Sequence, residues 1–347
     1  MAKEQSSSDR WRCFADRKDG TGAVAVNRSE VPDLLEAGAR LWVDVLAPTP
    51  ADTDWLKRTF KFHPLALSDV LNDNVRPKNE TYGPVMFTVF RALNLNTEAD
   101  PLDTINLNLF LTDRHLVTTH SAPLRSVREV IERIDRDKTT IESGTSFLYY
   151  RLLDGVVDRY LDLADHLDDR IDELEDLLFN VGDGAVQQVI FELKKQVSVL
   201  RHRVLPERDV LASLVRGDFP QIDAQTQMHL RDVLDHAVRT RDILEAQRDL
   251  LNGLMEAYMT HLSNRMNEVM KLLSIIATLM LPLGVIAGIF GMNFDAMPML
   301  RWKYGFWVLI GMMADGLARR IARHGPAWPS STPASAGGDP PSVDRES

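Results

Sequence analysis

The sequence holds a single cysteine, Cys13, so no disulfide can close within one chain, and the soluble part fits a reducing cytosol. It contains no phosphate-binding G-x-x-x-x-G-K loop, no H-E-x-x-H, no G-x-S-x-G and no cysteine cluster for zinc. The histidines are scattered, with none paired at metal-ligand spacing along one helix, and no catalytic constellation emerges. Basic residues are in deficit: 40 Lys and Arg stand against 50 Asp and Glu, a net charge of -10. That balance argues against a nucleic-acid surface and suits a protein that handles cations. The opening MAKEQSSSDRWRC has no apolar core, so no signal peptide is expected there. Between Pro220 and Pro282 there is no proline and one glycine, Gly253. That scarcity of breakers predicts one continuous helix from about Ala224 to Gly291, on the order of 100 Å long.

From Leu272 to Phe294 no residue is charged. A helix over that run is about 34 Å long, enough to cross a hydrocarbon core of roughly 30 Å. A second apolar run, Tyr304–Ala314, covers only about 17 Å before Asp315 and Arg319. Arg265 and Lys271 precede the first run and Arg319, Arg320 and Arg323 follow the second. The positive-inside rule therefore puts both termini in the cytoplasm and 294–303 outside, although Arg301 and Lys303 lie in that outer loop.

The first apolar run closes on Gly291-Met292-Asn293, followed by Phe294, Met297-Pro298, Trp302 and Tyr304-Gly305-Phe306-Trp307. A G-M-N tripeptide alone is common. One that ends a membrane span and leads into F-x-x-M-P and an aromatic re-entry is far more specific, and it resembles the CorA-type divalent-cation transporters. The resemblance runs from about Trp42 to Trp307. It includes His63-Pro64-Leu65-Ala66-Leu67-Ser68-Asp69-Val70-Leu71-Asn72, Arg76-Pro77-Lys78, and the LKKQVSVLRHRVLPERDVLASLVRGD segment with its internal Pro206. What the resemblance implies is an α+β membrane protein shaped as a homo-oligomeric funnel, a pentamer in that family, seated in the inner (plasma) membrane.

Taken in order, 1–20 is expected as a flexible leader and 21–145 as a cytosolic α/β domain. Strand-like runs at Ala39–Val45, Val85–Leu95, Ile105–Thr112 and His115–Thr119 alternate there with helices at Ala51–Phe60 and Leu65–Leu71. An antiparallel helical hairpin is expected over 146–220. Its first helix carries Asp162, Asp165, Asp168, Asp169, Asp172, Glu173, Glu175 and Asp176, and its second carries Lys194, Lys195, Arg201, Arg203 and Arg208. Opposite charges are expected to face across the rims of the two helices, and the acidic face is either plainly solvated or a cation-attracting surface. A cytosolic stalk helix follows over 221–271, then a first span over 272–293. The outer loop is 294–303, a short second span 304–321 and a disordered tail 322–347. So thin an apolar seam on so long a helix predicts burial in a bundle of identical chains.

Asn267, Met270, Ser274, Ala277, Leu281, Gly284, Gly288 and Gly291 recur at helical spacing and form either a pore-lining face or a helix-packing face. The family resemblance places Asn267, Met270, Leu273, Leu281, Gly284 and Asn293 along the conduit. Mg²⁺ sheds its water shell reluctantly, so neutral oxygens of Asn293 and of the Gly291 and Met292 carbonyls suit a selectivity filter. The resemblance also implies regulatory Mg²⁺ held between neighbouring cytosolic domains, at Asp69 and Asp232. Ser68 stands where the family often has a second acid, Gly284 where it often has Thr, and Met299 where it often has Glu, which leaves Asp295 as the outer-loop acid. The expected function is passive uptake of Mg²⁺, with Co²⁺ and Ni²⁺, driven by membrane potential and gated by internal metal, without an organic cofactor. The alternatives are a Zn²⁺ transporter of the ZntB-like branch and a membrane-anchored scaffold that does not conduct, the latter because the second span is short.

Overall fold

The computed structural model describes residues 10–17, 22–94, 102–136, 143–178, 183–217, 219–292 and 302–324. The chain divides into two compact units, Met1–Met259 and Thr260–Ser347.

The first unit is built on a seven-stranded sheet of order β2-β1-β3-β7-β6-β5-β4. Its strands are β1 (Trp11–Arg17), β2 (Gly22–Val26), β3 (Arg40–Leu46), β4 (Lys78–Tyr82), β5 (Val85–Leu93), β6 (Thr104–Leu111) and β7 (His115–His120). Only β3 and β7 pair in parallel, with Leu41 opposite His115; the other neighbours are antiparallel. Alternation along β3 sends Leu41, Val43 and Val45 into one core, shared with Leu56, Phe60, Leu67 and Val70. The helices α1 (Val31–Glu36), α2 (Pro50–Phe60) and α3 (Pro64–Val70) supply that side. The intervening Trp42 is fully buried as well, its indole N–H donating to Thr118 Oγ1 at 3.1 Å. Helices α4 (Arg125–Arg136), α5 (Thr145–Leu178) and α6 (Asp183–Arg216) belong to the other face, where Thr88 Oγ1 meets Tyr149 OH at 2.8 Å.

Local chemistry sets the element ends. Thr49 and Asp52 form a capping box at the start of α2, with Pro50 at its first turn, and α2 stops at Lys61, whose φ of 58° leaves the helical region. The last long helix, α7 (Ala224–Phe290), is capped by Asp223, which accepts from Thr226 N at 2.7 Å and from the Ser146 hydroxyl. At Gly217 a side chain would overlap the Phe219 ring, so α6 ends where the chain must fold tightly.

Three expectations are corrected. The stretch 1–20 is not wholly a loose leader: β1 occupies Trp11–Arg17, and Cys13 and Ala15 are core residues. Its polar, charged sequence hid a strand that is completed by pairing with both β2 and β3. The acidic and basic rims of α5 and α6 do not pair among the described residues. Lys194 instead donates to Asn252 at 2.7 Å and Arg201 lies 3.3 Å from Glu245, both on α7. Finally, the thin seam of α7 is covered by its own chain as far as Tyr258. Leu230, Val233, Leu244, Leu251 and Tyr258 are buried, and Gln247 Nε2 donates to Ala164 O on α5 at 2.7 Å. The stalk alone therefore gives no reason for an oligomer.

In the second unit the reason returns. Among the residues from Thr260 onward whose burial is described, Gly305 is the only buried one. Helix α7 alone among the described elements is long and apolar enough to cross a membrane, and its apolar window is unburied. The final helix, α8 (Gly305–His324), is longer than the uncharged run that predicted it. It continues through Asp315 and Arg319, which pair one turn apart at 2.9 Å, and its length of about 30 Å matches a bilayer even though its composition does not. The outer loop, but for Trp302 and Lys303, and most of the expected tail lie outside the described residues.

Candidate functional site

Helix α7 ends at Phe290, and the chain tightens as it leaves. Gly291 N donates to Ala287 O at 2.9 Å and Met292 N to Ile289 O at 3.3 Å, a change from four- to three-residue spacing. A Cβ on Gly291 would lie 3.2 Å from the Ala287 carbonyl oxygen. Gly291 does not adopt positive φ, so a side chain here would crowd the Ala287 carbonyl by a few tenths of an ångström rather than oppose a left-handed turn. Of the expected filter, Gly291 and Met292 are placed at the helix end; Asn293 and the outer-loop acid Asp295 lie outside the described residues.

Below the tip, Asn267, Met270, Leu273, Leu281 and Gly284 all lie on α7. At 100° per residue they fall within an arc of about 120°, one face of the helix. Met270, Leu273 and Leu281 are 62%, 66% and 73% exposed, and a Cβ on Gly284 would meet nothing within 4 Å. The face is thus polar at Asn267, apolar at Met270, Leu273 and Leu281, small at Gly284, and open in a single chain. An apolar surface of this extent calls for lipid on one side and protein or a gated pore on the other.

The two expected cytosolic acids stand differently. Asp69 is paired: its Oδ2 lies 2.8 Å from Lys78 Nζ, which also reaches Glu80 Oε2 at 2.8 Å. Burial pulls the Lys78 ammonium down, yet the hydrogen bonds to Asp69 and Glu80 raise it overall. Asp232 is exposed on α7.

One turn after Asp232 comes a group that the sequence reading did not pick out. Asp154, Asp158 and His236 bring their ligand atoms within 4.8 Å of one another. His236 Nδ1 is 3.2 Å from Asp158 Oδ1, and Arg151 Nη1 donates to Asp154 Oδ2 at 3.0 Å. Burial, and then the neighbouring Asp158 charge, push the Asp154 carboxyl above its ordinary value. A divalent cation at this point would relieve the repulsion, and oxygen ligands with one imidazole suit several such ions. The signal was present in LLDGVVDRY, where the acids are one turn apart, but the partner histidine is distant in sequence and only the α5–α7 packing reveals it.

A third polar centre is buried in the sheet. His120 Nε2 lies 3.1 Å from Asp44 Oδ1, and its Nδ1–H donates to the Ala122 carbonyl at 2.7 Å. Thr118 Oγ1 donates to the same Asp44 oxygen at 2.5 Å, linking the pair to Trp42. Both ring nitrogens face oxygens that can accept from them, an arrangement that favours the protonated imidazole. Burial opposes that charge, but Asp44 raises the His120 value overall.

Comparison with known proteins agrees with these elements. The model of the CorA-like Mg2+ transporter protein family matches residues 38–315. The chain is 37% identical over 266 residues to the cobalt/magnesium transport protein CorA of Thermotoga maritima, covering 75% of this chain and 76% of that protein. It is 34% identical over 291 residues to YfjQ of Bacillus subtilis, covering 84% of this chain and 89% of that protein. In fold it superimposes on the complete structure of the CorA magnesium transporter from Methanocaldococcus jannaschii with a TM-score of 0.79, at 21% identity, over 90% of this chain and 96% of that one. The long helix, the Gly-Met-Asn motif that follows it in sequence and the sheet domain before it therefore belong to a member of the CorA-like Mg²⁺ transporter family, a family of divalent metal ion transporters and not of enzymes.

Proposed function

We propose that this chain forms a homo-oligomeric, passive conduit for Mg²⁺, admitting Co²⁺ and Ni²⁺, in the cell's inner membrane with both termini in the cytoplasm. The observation that carries the reading is the α7 face from Asn267 to Gly284, exposed in the single chain and ending in Gly291-Met292-Asn293. Several copies placed with that face toward a common axis give an apolar constriction at Met270 and Leu273, between polar rings at Asn267 and Asn293. Amide oxygens repeated by symmetry hydrogen-bond a hydrated ion without trapping it. Inward movement of a divalent ion gains ~4.6 kcal/mol per 100 mV of inside-negative potential, so the conduit needs no nucleotide hydrolysis.

Internal metal closes it. Asp232 supplies one carboxylate from α7, and Asp69 a second from a neighbouring copy once Lys78 yields it. The Asp154–Asp158–His236 group, one turn from Asp232, adds a ligand set within one chain. Carboxylates that repel one another when empty are drawn together by a cation, which ties closure to cytosolic metal. The deciding experiment is Mg²⁺ uptake, driven by an inside-negative potential, into liposomes holding the purified full chain. Asn293→Ala is expected to abolish uptake with assembly intact, and unchanged uptake removes the filter from the conduit. A wild-type chain that assembles but passes no Mg²⁺, Co²⁺, Ni²⁺ or Zn²⁺ is the scaffold instead; competition favouring Zn²⁺ moves it to the ZntB-like reading.

A further inference from the structure

A cavity of about 640 Å³ opens between the 74–77 segment, β5 and α6, and the charge of its lining has the same sign as the transported ion. Arg76, Arg91 and Arg203 line it with His202 and Ser198, and no carboxylate lines it. Among the described residues none of these arginines has an ion-pair partner. In a chain of net charge -10, uncompensated guanidinium groups gathered at one cavity are unexpected.

Their settings differ in a useful way. Arg91 is anchored: its Nη2 donates to Val75 O at 3.4 Å, its backbone carbonyl accepts from Tyr160 OH at 3.0 Å, and its Nε is buried without a partner. Arg76 is exposed and Arg203 half-buried, free to close on a bound group. His202 Nδ1–H is committed to the Ser198 carbonyl at 2.7 Å, which leaves Nε2 for a ligand. The buried acid Glu207, next to Pro206, does not line the cavity. It accepts from Arg91 N at 2.7 Å, and burial pushes its carboxyl well above the usual range. Val199, Pro77 and Pro206 supply an apolar wall, Pro206 at the point where α6 lacks a backbone N–H.

We propose that this cavity binds a phosphate-bearing anion of nucleotide size, with Arg76, Arg91 and Arg203 on its phosphate chain. Forked guanidinium donors match phosphate oxygens in pairs, and the cavity lies within the size range of ligand pockets, roughly 300–1,000 Å³. A single carboxylate leaves most of this charge unmatched, whereas a phosphate chain neutralises it. The segment that carries Arg76 continues directly into Lys78, the partner of Asp69, so an occupied cavity bears on that ion pair.

The test is displacement of a fluorescent ATP analogue from the full chain in lipid nanodiscs, with a chelator present so that no metal bridges nucleotide to the acidic groups. Saturable binding, displaced by ATP and not by adenosine, is expected. Arg76→Ala and Arg203→Ala should each weaken it at least tenfold at unchanged melting temperature, with Arg→Lys intermediate and Arg208→Ala without effect. Pyrophosphate displacing as well as ATP assigns the site to inorganic phosphate chains; ATP displacing at least tenfold better assigns it to nucleotides. Absence of saturable binding up to millimolar probe, equal competition by adenosine, or equal affinity in both alanine variants overturns the proposal.

Discussion

Lys78 holds Asp69 at 2.8 Å, so a carboxylate assigned to intersubunit metal is already satisfied within its own chain. A metal ion must displace that ammonium before it gains the ligand. Lys78→Ala is therefore expected to lower the internal Mg²⁺ needed for half-closure several-fold, and Asp232→Ala to raise it. Uptake measured against liposomes preloaded with graded Mg²⁺ reads both. If Lys78→Ala leaves the half-closing concentration unchanged, Asp69 takes no part in metal sensing.

The Asp154–Asp158–His236 group is expected to bind a divalent ion in the closed protein. Co²⁺ accepts oxygen and imidazole ligands and serves as the probe. Its addition should raise the melting temperature of the full chain, and Asp158→Asn or His236→Ala should remove most of that rise. The Asp154→Asn variant should be no less stable than wild type without metal, since its carboxyl is destabilised by burial and by Asp158. A Co²⁺ shift of full size in the Asp158→Asn and His236→Ala variants assigns the stabilisation to other residues.

The buried His120–Asp44 pair gives stability a pH dependence of known sign. Asp44 raises His120 above its ordinary 6.5 despite burial, while Arg12 opposes it more weakly. A raised imidazole contributes fully below the unfolded value and loses its contribution as pH climbs through the folded one. Melting temperature should therefore fall from pH 6.5 upward by more in wild type than in His120→Gln. Removing one partner of a buried ion pair costs about 3–5 kcal/mol, so His120→Gln should also melt well below wild type at pH 6. Parallel melting curves against pH in the two proteins would refute the charged assignment.

Sequence alone located the parts whose pattern is local. The α2 boundaries follow from Thr49, Pro50 and the run to Phe60, and the end of α7 follows from an uncharged apolar run closing on Gly291. It failed where the determinant is a distant partner. β1 reads as polar leader until β2 and β3 pair with it. β4, KNETY, has no apolar alternation because its burial is only partial along its length. α4 does not stand out in the sequence although its apolar residues recur on one face, since Arg and Glu outnumber them in RSVREVIERIDR. The same limit applies to the sites: Gly291 and Met292 were legible as a motif, whereas the His236–Asp158 contact joins residues 78 apart.

Gly284 separates the two readings of the α7 face. In one chain a Cβ there meets nothing within 4 Å, so the glycine answers no packing demand inside the molecule. If it lines the axis, enlarging it narrows the conduit and leaves the contacts between copies alone. If it lets neighbouring helices approach, enlarging it drives them apart, as small residues at membrane helix contacts do. Gly284→Leu is expected to keep the wild-type oligomer, judged by native mass in detergent, while Mg²⁺ uptake falls at least tenfold. Gly284→Ala should fall between the two, since the added methyl takes less of the opening. Loss of the oligomer in Gly284→Leu would move this residue from the conduit to the helix interface. It would also rotate the proposed pore face away from the Asn267–Gly284 line, and the constriction assigned to Met270 and Leu273 would go with it.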